Sequence, residues 1–368
     1  MKQGIYIHVP FCASKCPYCD FYSLTATDEV LKDAYTDALC REMQKQVGKQ
    51  ADTLYFGGGT PTLLGAQRIA RLTAVARECF AIPETAEITL EANPADHLYE
   101  TFKAFAEQGG NRISLGMQST DADILKILGR RHTPTDVCRT IEDARRAGIE
   151  NISLDLMLAV PTQTKAHIEK DIAMCAELGA SHVSAYLLKV EEGTPFAAMG
   201  ENLAVPDDDT AADYYLYAVE RLQAYGYAQY EISNFAKQGK ESRHNLKYWK
   251  LEPYIGFGPA AHSFDGGKRW YYPRDIQAFI DGQPPICDVD GGIAVGSETE
   301  YAMLALRLRE GLRAAPFYER FGERIPTAWM SAAAALPCSL VEMDETGISL
   351  TAEGFLVSDA LIIRILNL

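Results

Sequence analysis

Cys12, Cys16 and Cys19 fall within eight residues, directly after the strand-like run Tyr6-Ile7-His8-Val9. Iron-sulfur clusters are held by cysteine thiolates, normally four to a cubane. A C-x3-C-x2-C loop that supplies three, with no fourth cysteine near it, leaves one iron with an open position where a second molecule can bind and react. The competing chemistry is a structural zinc whose fourth ligand is His8, Asp20 or a distant histidine. Zinc sites usually pair two C-x2-C knuckles, and this sequence has no second one, which favours the cluster. The other cysteines, Cys40, Cys79, Cys138, Cys175, Cys287 and Cys338, stand apart from one another. They read as small buried apolar residues rather than disulfide partners.

Four further features have chemical potential. Gly57-Gly58-Gly59-Thr60-Pro61 suits a close approach of backbone to a ligand, although it lacks the Gly-Lys-Ser/Thr ending of a phosphate loop. Glu91, Gln118 and Asp155 are polar residues in or beside apolar runs, and each alone is an ordinary strand-end residue. The elements that carry them give them a shared place. Short apolar runs at 4–9, 53–56, 87–92, 112–117, 151–158 and 182–187 alternate with amphipathic stretches at 29–47, 66–80, 98–107, 135–147 and 166–178. Six β-α units in succession predict a parallel sheet with right-handed crossovers, curled into part of a barrel. Active sites of such barrels form at the carboxyl ends of the strands. The cysteine loop, the glycine run, Glu91, Gln118 and Asp155 would all meet at that rim.

The predicted class is therefore α/β: a partial (β/α)6 TIM-like barrel over residues 1–200, with a smaller C-terminal α+β domain. A loop rich in Gly, Pro and Asp at 192–209 marks the boundary. A helix at 210–225 follows, then an irregular aromatic and glycine-rich region, the two making an accessory segment over 201–295. Residues 296–368 begin with an amphipathic run at 300–308 and end in Gly347-Ile348-Ser349-Leu350-Thr351 and an apolar helix, as a winged-helix-like module would.

With 368 residues and 47% hydrophobic content the chain can bury a large core. A formal charge of −15 disfavours nucleic acid and anionic lipid as partners. No run approaches the ~18 apolar residues of a membrane span, so an integral membrane protein is not expected. The start, Met1-Lys2-Gln3-Gly4, has no apolar signal region. The expected location is the cytoplasm.

The cysteine triad with Tyr18 before its last member, together with Gly57-Gly58-Gly59-Thr60-Pro61, resembles the radical S-adenosylmethionine (SAM) superfamily. Tyr6-Ile7-His8-Val9-Pro10-Phe11-Cys12, Glu91-Ala92-Asn93-Pro94, Ser114-Leu115-Gly116-Met117-Gln118 and Asp155-Leu156-Met157 resemble the oxygen-independent coproporphyrinogen III oxidase group within it. The resemblance implies a [4Fe-4S] cluster on the three cysteines, SAM chelating the open iron, and reductive cleavage to a 5'-deoxyadenosyl radical. It implies contacts to a first SAM from Tyr6, Gly58 and Glu91. Tyr18, Gly59, Thr60, Gln118, Arg130 and Asp155 match positions around a second cofactor or substrate site. Radical chemistry of this kind also implies an electron donor such as flavodoxin or ferredoxin.

Two features depart from the oxidases, which typically carry another cysteine where this chain has Phe21, and an extension ahead of the cluster strand. Both argue against coproporphyrinogen turnover and leave open whether the chain is an enzyme. His244-Asn245-Leu246-Lys247-Tyr248-Trp249 is similar to the H-N-x-x-Y-W signature of the HemW branch, the haem chaperones of the group. That branch implies haem as ligand or cargo, with His244 as candidate iron ligand and His262 of lower rank. Its implied partners are haem-receiving proteins such as membrane respiratory enzymes. The alternative is radical oxidative decarboxylation of propionates in porphyrin biosynthesis.

Overall fold

Six runs rich in Ile, Leu and Val become six parallel strands because each is apolar on the face that helices cover. The computed structural model describes residues 2–25, 28–94, 97–288 and 292–368. In it β1 (Gln3–Val9), β2 (Ala51–Gly58), β3 (Glu87–Ala92), β4 (Arg112–Gln118), β5 (Asn151–Leu158) and β6 (His182–Leu187) pair side by side in chain order. The connecting helices are α1 (Glu29–Gln44), α2 (Ala66–Cys79), α3 (Tyr99–Glu107), α4 (Ala122–Ile127), α5 (Pro134–Arg146) and α6 (Lys165–Glu177). Five of these follow the amphipathic stretches of the sequence; α4 is a short helix in what the sequence reads as loop.

The strand alternation separates two environments. Outward residues such as Ile5, Ile7, Leu54, Phe56, Leu90, Leu115 and Leu154 are fully or almost fully buried and form the main core under the helices. The alternate residues turn inward and are polar: Tyr6, Thr53, Tyr55, Thr89, Glu91, Arg112, Ser114, Ser153, Asp155, His182 and Ser184. Cross-strand contacts tie this inner set together, including Tyr55 to Glu91, Ser114 to Asp155 and Ser153 to His182. The interior of this partial barrel is thus a hydrogen-bonding lining rather than stacked aliphatic layers.

After α7 (Pro195–Met199) and α8 (Asp208–Ala224) the chain returns to the same sheet. β7 (Ala228–Gln229) and β8 (Asn234–Ala236) add antiparallel strands beyond β6. Following α9 (Arg243–Trp249), β9 (Tyr254–Phe257) pairs parallel to β1 at the opposite edge. β10 (His262–Asp265) and β11 (Lys268–Tyr271), then α10 (Ile276–Ile280) and β12 (Ile286–Asp288), extend that edge with antiparallel pairing. The region expected to be irregular therefore supplies six short strands to a 12-stranded sheet. They escaped the sequence reading because strands of two to four residues show no periodicity.

The C-terminal α+β unit comprises α11 (Glu298–Ala305), β13 (Leu312–Arg313), α12 (Ala314–Phe321), α13 (Thr327–Ala334), β14 (Val341–Asp344), β15 (Gly347–Leu350), α14 (Ala352–Leu356) and α15 (Ser358–Leu366). Its three strands form a separate antiparallel sheet with β15 in the middle. Among the described residues no helix is long and apolar enough to cross a membrane.

Candidate functional site

The cysteine loop is pinched at its base. Phe11 and Leu24 form a parallel bridge, with Cys12 N donating to Leu24 O at 3.0 Å and Leu24 N to Pro10 O at 2.6 Å. Buried Phe11 sits edge-on to Tyr35 and anchors that base in the core. The loop thereby stands over the carboxyl end of β1. The glycine run leaves β2 beside it, Gly59 N donating to Val9 O at 2.8 Å and Thr60 N to Phe11 O at 2.6 Å. Only glycine fits there: a Cβ on Gly59 would lie 2.7 Å from Phe11 O and 3.0 Å from Cys12 Sγ. Gly58 has φ +110°, and a Cβ there would strike the His8 ring at 2.6 Å.

These two loops roof a cavity of 340 Å³ at the carboxyl ends of the strands. Cys12, Cys16, Cys19, Tyr18, Gly58, Gly59, Thr60, Glu91, Gln118, Arg130 and Asp155 all line it. At the floor, Glu91 Oε1 accepts from the Tyr55 hydroxyl at 2.7 Å and Oε2 from Gly58 N at 3.2 Å. Burial, with Asp155 nearby, pushes the Glu91 carboxyl up to about 7 against the pull of those two donors. Burial likewise raises Asp155, opposed by Ser184, Arg112 and Arg130. Gln118 adopts φ +64° at the end of β4, and its buried Oε1 has no hydrogen-bond partner.

A hydrogen-bonded chain ties the wall to the cysteine loop. Arg130 donates Nε and Nη2 to the Tyr18 hydroxyl at 3.2 and 2.7 Å, and Nη1 to Asn93 Oδ1 at 2.6 Å. Asn93 Nδ2 donates to Thr60 Oγ1 at 2.9 Å, and the Thr60 hydroxyl points at Cys12 Sγ, 3.8 Å away. Asn93 was not singled out from the sequence, nor were Ser114 and Tyr186, which also line the cavity. The only sequence signal for them was membership of motif runs or strand ends.

Tyr6 and His244 are not in the cavity lining. Tyr6 lies beneath it, its ring against Tyr55 and its hydroxyl 3.1 Å from His8 Nδ1. His244 sits at the opposite, amino-terminal end of the strands, 1% exposed. Its Nδ1 bonds Thr53 Oγ1 at 2.8 Å and its Nε2 the Tyr248 hydroxyl at 2.7 Å, with the ring stacked on Tyr55. The expectation that His244 presents a nitrogen to iron is not met by this geometry: both nitrogens are engaged. Burial holds its conjugate acid down at about 3, so the imidazole is neutral. His262 of β10 stacks on Tyr271, away from the cavity.

The residues proposed to complete a zinc site are also committed elsewhere. His8 bonds Tyr6 through one nitrogen and Tyr22 O through the other, and Asp20 pairs with Arg274. Among the described residues no three His, Cys, Asp or Glu side chains converge on a point that one ion would fill. The thiols instead frame a space. That space, the cradle at Gly59 and the unpartnered Gln118 Oε1 fit a group larger than one ion together with a polar organic ligand.

Comparison with known proteins agrees with this geometry. The sequence profile of the Radical SAM superfamily matches residues 6–175. Heme chaperone HemW of Bacillus subtilis (strain 168) is 36% identical, over 97% of each chain. Heme chaperone HemW of Escherichia coli (strain K12) is 38% identical over 76% of each. Among solved structures, coproporphyrinogen III oxidase (HemN) from Escherichia coli superposes with a TM-score of 0.82 at 21% identity, covering 99% of this chain and 90% of that one. That last likeness is one of fold.

Proposed function

This chain belongs to the HemW branch of the oxygen-independent coproporphyrinogen III oxidase group, within the radical SAM superfamily, and from that premise we propose that it is a haem chaperone. In this reading the barrel holds a [4Fe-4S] cluster and SAM, the chain after residue 200 holds haem or meets its recipient, and haem passes to haem-dependent respiratory proteins. The observation that carries the cofactor half is the convergence of Cys12, Cys16, Cys19, the glycine run, Glu91 and Gln118 on one cavity. The haem half is supported by whole-length similarity to proteins named for that activity.

The cysteine thiolates would hold the cluster, which when bound supplies single-electron chemistry at its open iron. The chain's own residues bind and orient. The Gly58 and Gly59 backbone admits the ligand close to β2, and the Glu91 carboxylate offers a partner for an ammonium. The Gln118 amide oxygen accepts from a ligand donor, and the Arg130 guanidinium suits a carboxylate. Tyr18, Asn93 and Thr60 hold Arg130 and Cys12 in register across the cavity. Phe21, 64% exposed at the mouth, presents no thiol to the cluster. Action in the cytoplasm, with a flavodoxin or ferredoxin as donor, completes the proposal.

The test is anaerobic reconstitution followed by two assays on the same preparation. Haem titration should give saturable binding, and incubation with coproporphyrinogen, SAM and reductant should give no protoporphyrinogen. Turnover at catalytic rates would assign the oxidase activity instead. A reduced-cluster electron-spin signal unaffected by SAM would remove the cofactor assignment.

A further inference from the structure

Arg112, the first residue of β4, is among the largest fully buried side chains, at 1% exposure. In register it lies beside Thr89, one inward step below the pair Glu91 and Ser114. Its Nε has no hydrogen-bond partner, and the guanidinium joins none of the ion pairs among the described residues. The hydroxyl of its register neighbour Thr89 is likewise unpartnered. Burying a cation without a contact partner is strongly unfavourable, and arginine cannot escape by losing its proton. A charge kept there must act at a distance.

The groups around Glu91 show on what it acts. Tyr6 faces the carboxylate from β1, Tyr55 from β2, Asp155 from β5, Tyr186 from β6 and Tyr248 from α9. Burial raises every one of these tyrosines above its ordinary range, so all are neutral. Asp155 is the other carboxyl, and Arg112 is the cation that opposes the effect of burial at both; Arg130 adds to it at Asp155. In a low-dielectric interior a unit charge several ångströms away still shifts an acid measurably. Unlike Arg130, Arg112 is absent from the cavity lining, so it exerts this field without obstructing a ligand.

We propose that Arg112 is a positioning residue for the site: a guanidinium sealed inside the barrel whose field favours the charged forms of Glu91 and Asp155, so that the cavity floor takes the cationic end of its ligand. The ligand half rests on the reading above, in which that ligand is SAM, with an ammonium and a sulfonium.

The variants are Arg112→Met, which keeps length and apolar stem but removes charge, and Arg112→Lys, which keeps charge. Arg112→Gln serves where Met is not accommodated. Glu91 is titrated by carbon-13 carboxyl NMR of glutamate-labelled protein without added metal, its signal identified by loss in Glu91→Gln. The Glu91 midpoint should rise in Met and Gln and stay in place in Lys. In reconstituted protein, SAM affinity at pH 7 should then fall at least threefold in the neutral variants. From a midpoint near 7, a full unit of upward shift lowers the ionised fraction of Glu91 at pH 7 about fivefold. The loss should shrink as pH is raised, because the floor then ionises without help. A lower melting temperature with an unmoved midpoint would overturn the proposal, as would a moved midpoint with unchanged affinity at every pH. If the wild-type protein binds no SAM while the midpoint moves, the field effect stands and the cofactor reading falls.

Discussion

Both nitrogens of His244 are engaged, and that makes it a structural residue of the barrel's amino-terminal mouth. Its backbone N–H is held as well, donating to Glu87 Oε1 at 2.9 Å. His244→Ala should destabilise the protein by about 2–4 kcal/mol, from two lost hydrogen bonds and the stack on Tyr55. Haem bound per folded molecule should be unchanged. Thermal melting and haem titration check this, and loss of haem binding at full stability would restore His244 as a ligand. Glu91 gives the second residue-scale prediction. Its folded midpoint near 7 lies above the ordinary glutamate value, so the folded protein binds the proton more tightly than the unfolded chain. The resulting stabilisation is complete below the unfolded midpoint and is lost as pH rises through about 7. Glu231, also held near 7, behaves in the same sense. Urea unfolding of the metal-free protein should therefore show stability falling from pH 5 to pH 8, and the fall should be smaller in Glu91→Gln.

At the level of elements, the site depends on two loops zipped together by Gly59 and Thr60. Their amide hydrogens continue the pairing of β1 and β2 past the strand ends. A methyl at Gly59 would press on a backbone carbonyl rather than on a flexible side-chain end. Gly59→Ala should therefore push the loops apart at a cost of about 1–3 kcal/mol. The sheet, formed by strands on either side, should survive. Iron and sulfide per chain after reconstitution should drop severely while circular dichroism stays native. Normal loading would show that the two loops can separate without losing the cluster position.

At the scale of the whole molecule, the C-terminal unit is joined to the barrel at defined points. Backbone bonds run from Ile232 N to Arg307 O and from Arg309 N to Tyr230 O, flanking the bridge between Glu231 and Leu308. Arg320 adds a second tie, donating to Lys250 O at 3.2 Å and Leu251 O at 2.7 Å just after α9, with its cation over the Tyr301 and Phe321 rings. Trp249, the last residue of the HNLKYW run, lines a cleft with Tyr301 and Arg320, while His244 at its start plugs the barrel. One short helix thus touches both parts. Arg320→Met should lower stability by about 1–3 kcal/mol and speed limited proteolysis, with iron loading unaffected. Iron loading that fell in step with stability would show that the C-terminal unit supports the cluster cavity.

The order of the six parallel strands and the rim on which the cysteines, Glu91, Gln118 and Asp155 gather were legible from the chain alone. Apolar alternation reports which side of a strand is covered, and parallel β-α units place their carboxyl ends together. Tertiary structure alone decided that Asn93 links Arg130 to Thr60, that six strands of two to four residues widen the sheet, and that His244 lies at the far end of the barrel. Those outcomes depend on which distant segments come within hydrogen-bonding reach when the sheet curls. Local residue patterns carry no record of that closure, and so the charge of Arg112, one polar letter at a strand start, acquires meaning only inside the closed fold.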